Sequence, residues 1–243
     1  MMNKIIKASI RQAIHTAGFE FHRLSPTSNP AFQLLKALNR FEIDLVLDVG
    51  ANVGQFALEL RSVGYKGNLV SFEPLSVAHQ TLSEEASRDP KWYVHPCVAI
   101  GDYDGEIVIN IAGNSVSSSV LPMMESHISA AKGSSYVGID RVPLRRLDSV
   151  APDYLAKSRC PFLKIDTQGF EWRVLDGARE ILPRMRGVLC ELSLIPLYEG
   201  QHLWEEIVSR MTQERFTLWA LQPGFVDPSN GRTLQMDGIF FRV

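Results

Sequence analysis

At 243 residues, 45% hydrophobic and 21% charged, the chain can bury the core of a single α/β domain without disulfides or metal. A formal charge of -2 provides no positive field for a polyanion, so nucleic acid is excluded as the expected partner. Cys97, Cys160 and Cys190 lie apart, each beside an apolar run, which suits reduced thiols rather than a disulfide framework or zinc site. No run approaches the roughly 18 apolar residues of a membrane span, and the N-terminus does not read as a signal peptide, so a cytoplasmic location is expected.

Ile6, Ile10, Ala13 and Ala17 recur at helical spacing among Lys4, Lys7 and Arg11, predicting a short basic amphipathic helix within an N-terminal helical extension, residues 1–40. Such a helix either packs on the domain or makes peripheral contact with the inner face of a membrane. From residue 43, apolar strand runs alternate with helical stretches, as βαβ units of a parallel sheet do. IDLVLDVG is the first strand, followed by a helix over 55–62, strand NLVSFEP and a helix over 77–87. WYVHPCVAI reads as one strand, and GDYDG before EIVINIA reads as a tight turn closing a hairpin. Residues 113–141, rich in Ser and Gly, are longer than an ordinary connection and read as a lid. A helix over 147–156, strand PFLKIDTQ, a helix over 172–182, strand GVLCELSL and a helix over 203–212 follow. FTLWALQ and TLQMDGIFFRV close the chain as a hairpin, its last strand antiparallel to its neighbours. The expected fold is an α/β doubly wound, mostly parallel sheet.

A strand ending in Asp48 and entering Gly50-Ala51-Asn52-Val53-Gly54 before a helix offers close backbone approach and free N–H groups. A carboxylate beside that loop would repel a pyrophosphate but favour the sulfonium and ammonium of S-adenosyl-L-methionine. From Gly50, the dinucleotide fingerprint would need Gly where Asn52 and Gln55 stand. Glu73, ending the second strand, is placed to accept hydrogen bonds from ribose hydroxyls; the plain alternative for Asp48 and Glu73 is helix capping.

DVGANVG, FEP, VAIGDYDGE, SVSSSV, VPLRRLDSV and LKIDTQGFEWRVLDGA, in this order and spacing, resemble the FkbM family of S-adenosylmethionine-dependent methyltransferases. The resemblance covers residues 43–243 and implies a class I, Rossmann-like methyltransferase domain over 41–243. It also implies O-methylation of hydroxyls on sugars, glycolipids or polyketides. By that resemblance Asp48, Gly50, Asn52 and Glu73 are cofactor residues, with Asp102 or its surroundings near the adenine; Ala51 and Gly54 of the same loop and Pro74 after Glu73 are expected to join them. Gln168 stands where many relatives carry Glu.

A sugar hydroxyl is feebly acidic, so its methylation calls for a base or a metal ion. Asp166, at the carboxyl end of a parallel strand, is the first candidate base, and His127 in the lid the second. Alternatively Asp166 joins Glu191 and Asp237 in an all-oxygen site for Mg2+. Lys164 is expected to pair with a carboxylate. Trp172, Tyr198, His202 and Trp204 offer an aromatic face to a sugar ring, and Val120, Leu121, Met123 and Met124 in the lid suggest a lipid-linked one. Amino-methyltransferases carry Pro-Pro and an aromatic where this chain reads Asp166-Thr167-Gln168-Gly169. No Tyr is followed four residues on by the Lys of a short-chain dehydrogenase. The readings that remain against a sugar O-methyltransferase are a protein methyltransferase and a non-catalytic cofactor-binding scaffold.

Overall fold

The computed structural model describes residues 25–243 continuously, with Gln12, residues 14–16 and Gly18 before them. The residues that define the expected basic helix, from Lys4 to Ala17, lie outside those described.

Helix α1 (Pro30–Arg40) begins where the side chain of Asn29 accepts the Phe32 N–H at 2.7 Å and Pro30 presets the first turn. Ala31, Leu34, Leu35 and Leu38 fall at helical spacing and are buried. Then come β1 (Leu45–Val49), α2 (Gln55–Ser62), β2 (Asn68–Phe72), α3 (Ser76–Ala86) and β3 (Trp92–Val94). A short β4 (Ala99–Ile100), β5 (Gly105–Ala112), α4 (Glu125–Ala130) and β6 (Tyr136–Arg145) form a side unit. Past α5 (Leu147–Val150) and α6 (Pro152–Leu155), the chain returns as β7 (Pro161–Ile165), α7 (Glu171–Asp176), β8 (Gly187–Ser193), α8 (Trp204–Gln213), β9 (Thr217–Pro223) and β10 (Gln235–Phe241).

Seven strands make the main sheet in the order β3-β2-β1-β7-β8-β10-β9. The first five are parallel, and β10 runs antiparallel to both β8 and β9. Both faces are covered, so β1 and β7 are buried throughout. One face packs Leu47, Leu163, Val188 and Phe240 against α7 and α8. The other packs Val46, Phe162, Leu189 and Phe241 against α1 and α2 through Leu34, Leu38 and Leu60. Register places Asp48 beside Ser71 on one side and Lys164 on the other, a polar row crossing that second face.

Five local expectations are corrected. WYVHPCVAI is two strands in two sheets, since Pro96 has no N–H for a ladder. GDYDG closes no hairpin: β6 lies between β4 and β5 in the order β4-β6-β5. The turn is instead drawn to the end of β6, Gly101 N–H donating to Arg145 O and the Asp104 carboxylate accepting the Arg146 N–H. The helix over 147–156 divides in two, α6 opening on Pro152. The helix over 172–182 stops at Asp176, because Gly177 passes so close to Gly101 that a Cβ would lie 1.8 Å from its carbonyl oxygen. The lid is shorter than expected, its last residues being the start of β6.

Candidate active site

A cavity of about 500 Å³ opens at the carboxyl ends of the parallel strands, within the ~300–1,000 Å³ usual for small-molecule sites. One lobe lies over β1 and β2. Its floor is the 50–54 loop, where Gly50 (φ +77) and Asn52 (φ +47) both take left-handed backbone. Gly50 admits no side chain: a Cβ would stand 1.8 Å from Asp166 O. Gly54 meets the Trp92 ring in the same way. The expected free N–H groups are spent internally. Those of Gly50 and Ala51 donate to Phe72 O, that of Asn52 to Glu73 Oε2 at 2.8 Å, and that of Val53 to its neighbour's Oδ1.

Glu73 is buried at the lobe's edge and also accepts the Leu75 N–H at 2.9 Å on Oε1. It therefore caps the entry to α3 and lines the cavity, with a second lone pair left on each oxygen. Burial, relieved by these two N–H groups, pushes its carboxyl up to about 7. Pro74, Leu75, Val98, Ile100 and Phe170 supply apolar walls. Asp102 is not among the lining residues and pairs with Arg173 at 3.1 Å, whereas its neighbours 98–100 do line the cavity. Asn52 donates to Ser115 Oγ at 3.4 Å, tying the loop to the lid, whose Ser118, Ser119 and Val120 form the roof. This lobe fits an adenosyl cofactor, with a carboxylate for two ribose hydroxyls, apolar walls for a ring and no Cβ at the closest backbone approach.

Asp48 is fully buried and does not line the cavity. It accepts Ser71 Oγ–H at 3.1 Å and pairs with Lys164 Nζ at 3.1 Å. Lys164 does face the cavity, donates to Gly50 O at 2.9 Å and lies 3.6 Å from Asp166 Oδ2. Burial opposes the charge of Lys164, yet Asp48 and Asp166 together hold its ammonium above the ordinary lysine range. The pairing expected for Lys164 is thus present, with two partners.

The second lobe lies between α1, α2 and the β9–β10 hairpin and is lined by Pro30, Phe56, Glu59, Gln222 and Asp237. Asp166 lies between the lobes. Its Oδ1 accepts Gln168 Nε2–H at 2.8 Å, and the same amide reaches both Glu191 oxygens at 3.2 Å. Gln235 Nε2 also donates to Glu191, at 2.6 Å, and Tyr198 O–H fixes the amide's other end by donating to Gln168 Oε1 at 2.9 Å. This corrects the Mg2+ expectation. An amide N–H group sits between Asp166 and Glu191 where the ion would be, and no described group of three His, Cys, Asp or Glu side chains could hold a metal. Burial and the surrounding carboxylates push Glu191 well above the ordinary range.

His127 is buried against Tyr198 and Phe225, with Nε2 3.1 Å from Ser117 Oγ, and does not line the cavity; burial lowers its pKa. Nor does the aromatic quartet line it. Trp172 stacks on His202 at 4.0 Å, and Tyr198 hydrogen-bonds Gln168 without lining the cavity itself. In the lid, Val120, Leu121 and Met123 pack inward, leaving Met124 partly exposed. Sequence reasoning passed over Glu59 and Gln222. No local signal marks them, because only the packing of α2 and the β9–β10 register bring them here.

A domain profile described as the Methyltransferase FkbM domain matches residues 48–218. The chain belongs to the FkbM methyltransferase family. Like the 2-O-methyltransferase NoeI of Sinorhizobium fredii, to which it is 28% identical over 163 residues, it carries the matched core within a longer chain; the match spans 65% of this chain and 66% of the relative. Among solved structures, a candidate O-methyltransferase from Klebsiella pneumoniae is similar in fold, with a TM-score of 0.51 at 13% identity over 98% of this chain and 94% of that one. This FkbM domain has the class I architecture and is an S-adenosylmethionine-dependent methyltransferase domain. No described helix is long and apolar enough to cross a membrane.

Proposed function

We propose that this FkbM protein transfers the methyl group of S-adenosylmethionine to a hydroxyl of a sugar, free or carried by a lipid. The observation that carries the reading is one cavity bordered by Glu73 and apolar walls beside β2 and by Glu59, Asp166 and Asp237 toward β10. Bound cofactor supplies an already activated methyl carbon. Glu73 would hold its ribose, and Gly50, Pro74 and Leu75 would hold its body. Glu59, Asp166 and Asp237 offer acceptors for the several O–H donors of a sugar ring, and they disfavour a phosphate or carboxylate on the acceptor. The relative's name, a 2-O-methyltransferase, supports oxygen as the target, and a numbered oxygen implies an acceptor with several to choose between. The protein's work is then alignment and exclusion of water, the lid serving the second.

The test is transfer of labelled methyl from S-adenosylmethionine into lipid, small-molecule and protein fractions of a host extract, with and without chelator. Label on a sugar oxygen in either of the first two fractions is expected, undiminished by chelator because the Gln168 amide takes the cation's place. Label in protein alone overturns the sugar acceptor.

A further inference from the structure

We propose that the acceptor hydroxyl is received in the lobe between α1, α2 and the β9–β10 hairpin, where Asp237 takes its proton. The proposal rests on the O-methyltransferase reading above.

Besides Glu73, the cavity is lined by the carboxylates of Asp166, Asp237 and the exposed Glu59, and Glu191 shares the Gln168 amide with Asp166. Asp166 is held by the Gln168 amide and by Lys164, and Glu191 by the amides of Gln168 and Gln235. Asp237 has no hydrogen bond or ion pair to a described residue, so its lone pairs face the cavity unclaimed; Glu59, likewise without one, is exposed to solvent where Asp237 is half-buried. Its position is set by register. On antiparallel β10 it stands opposite Glu191 of β8 and Gln222 of β9, on the face shared with Asp48 and Lys164. Gln222 in turn donates to Pro30 O at 2.8 Å and Gln33 Oε1 at 2.9 Å, fastening the start of α1 over the lobe. The charged groups facing Asp237 are Asp166 and Lys164 at the end of β7, Glu59 on α2 and Glu191 on β8. Burial and the Asp166 charge push its carboxyl up to about 7, with Lys164 opposing, which suits a base working near neutrality.

As the acceptor oxygen bonds to the methyl carbon, the carbon–sulfur bond breaks with its electron pair kept by sulfur, and the hydroxyl proton moves to Asp237. Half-buried, Asp237 then releases that proton to solvent. Lys164 and Gln168 are positioning residues: they hold the Asp166 carboxylate in place while Asp237 cycles.

The experiment uses the full chain and its Asp237→Asn and Asp237→Glu variants. Three quantities are read: labelled methyl transfer to the sugar fractions against pH, S-adenosylmethionine affinity by calorimetry, and carboxyl titration by 13C NMR without cofactor. Transfer by the parent should rise with pH through about 7. Asp237→Asn should lose at least about 100-fold in rate with cofactor affinity within about twofold, and Asp237→Glu should recover part of the loss. One carboxyl titrating near 7 should vanish in Asp237→Asn. A rate for Asp237→Asn within about tenfold of the parent, or titration of this carboxyl near 4, overturns the proposal even when sugar is methylated. A parent that labels only protein overturns the sugar-acceptor reading instead, whatever Asp237 titrates at.

Discussion

Lys164 shows how one side chain organises the site. It is the only cation facing the cavity from the described residues, and it holds Asp48 in a fully buried position. Removing its charge leaves Asp48 buried without a counter-ion, which typically costs about 3–5 kcal/mol. Lys164→Met is therefore expected to lower stability by that order in urea unfolding, and the double variant Asp48→Leu/Lys164→Met to recover most of it. Gly50 is the second decisive residue. Gly50→Ala would force a methyl onto the Asp166 carbonyl at a positive φ, so β1 and β7 must part at their ends. The expected result is a lower melting temperature together with loss of S-adenosylmethionine binding, read by calorimetry. Retained affinity would show that the loop does not form the cofactor floor.

At the scale of elements, α1 is a structural wall of the site rather than an appendage to it. Its Leu34, Leu35 and Leu38 are core residues, and Leu38 has no exposed surface. Leu38→Ala should cost about 2–5 kcal/mol as a cavity in that layer. Gln222→Ala cuts the two hydrogen bonds that fasten the start of α1 to β9 while leaving the core intact. Because α1 meets the cavity through Pro30, Ala31 and Leu34, beside the proposed acceptor site, this variant is expected to raise the acceptor KM several-fold and leave cofactor affinity unchanged. Steady-state kinetics beside calorimetry separates the two effects.

For the whole molecule, burial of acids leaves a signature in stability. Glu73 and Asp237 are raised to about 7 and Glu171 to about 6, from ordinary values of 4.5, 3.8 and 4.5. Burial is the first cause in each, with backbone N–H groups easing Glu73 and Glu171 and the Asp166 charge adding to Glu171 and Asp237. The folded chain thus holds these protons more tightly than the unfolded one. Their contribution is complete below about pH 4 and is lost as pH rises through 6 to 7. The cofactor-free protein should accordingly melt at a lower temperature at pH 8 than at pH 5.5, and Asp237→Asn should narrow the gap. A melting temperature flat across that window would contradict the burial of these carboxyls.

Much of this was legible along the chain. The strand, loop and helix around Gly50, the acid closing β2, the alternation that makes the parallel sheet and the antiparallel ending all follow from local patterns. Periodicity and Gly placement are set by neighbours a few residues away. What local pattern could not carry was long-range pairing. EIVINIA alternates as a hairpin strand would, but its partner is β6, more than twenty residues on, and no local signal ranks that partner above β4. The candidate site divides the same way. Glu73 was legible because it ends a strand beside the loop, and Asp48 was legible as a charge but not as the buried partner of Lys164. The Gln168 amide between two carboxylates, the withdrawal of His127 and Trp172 from the cavity and the freedom of Asp237 were decided only by tertiary structure. A side chain's chemistry here depends on which donors the fold brings within 3 Å of it, and those donors come from strands far apart in sequence.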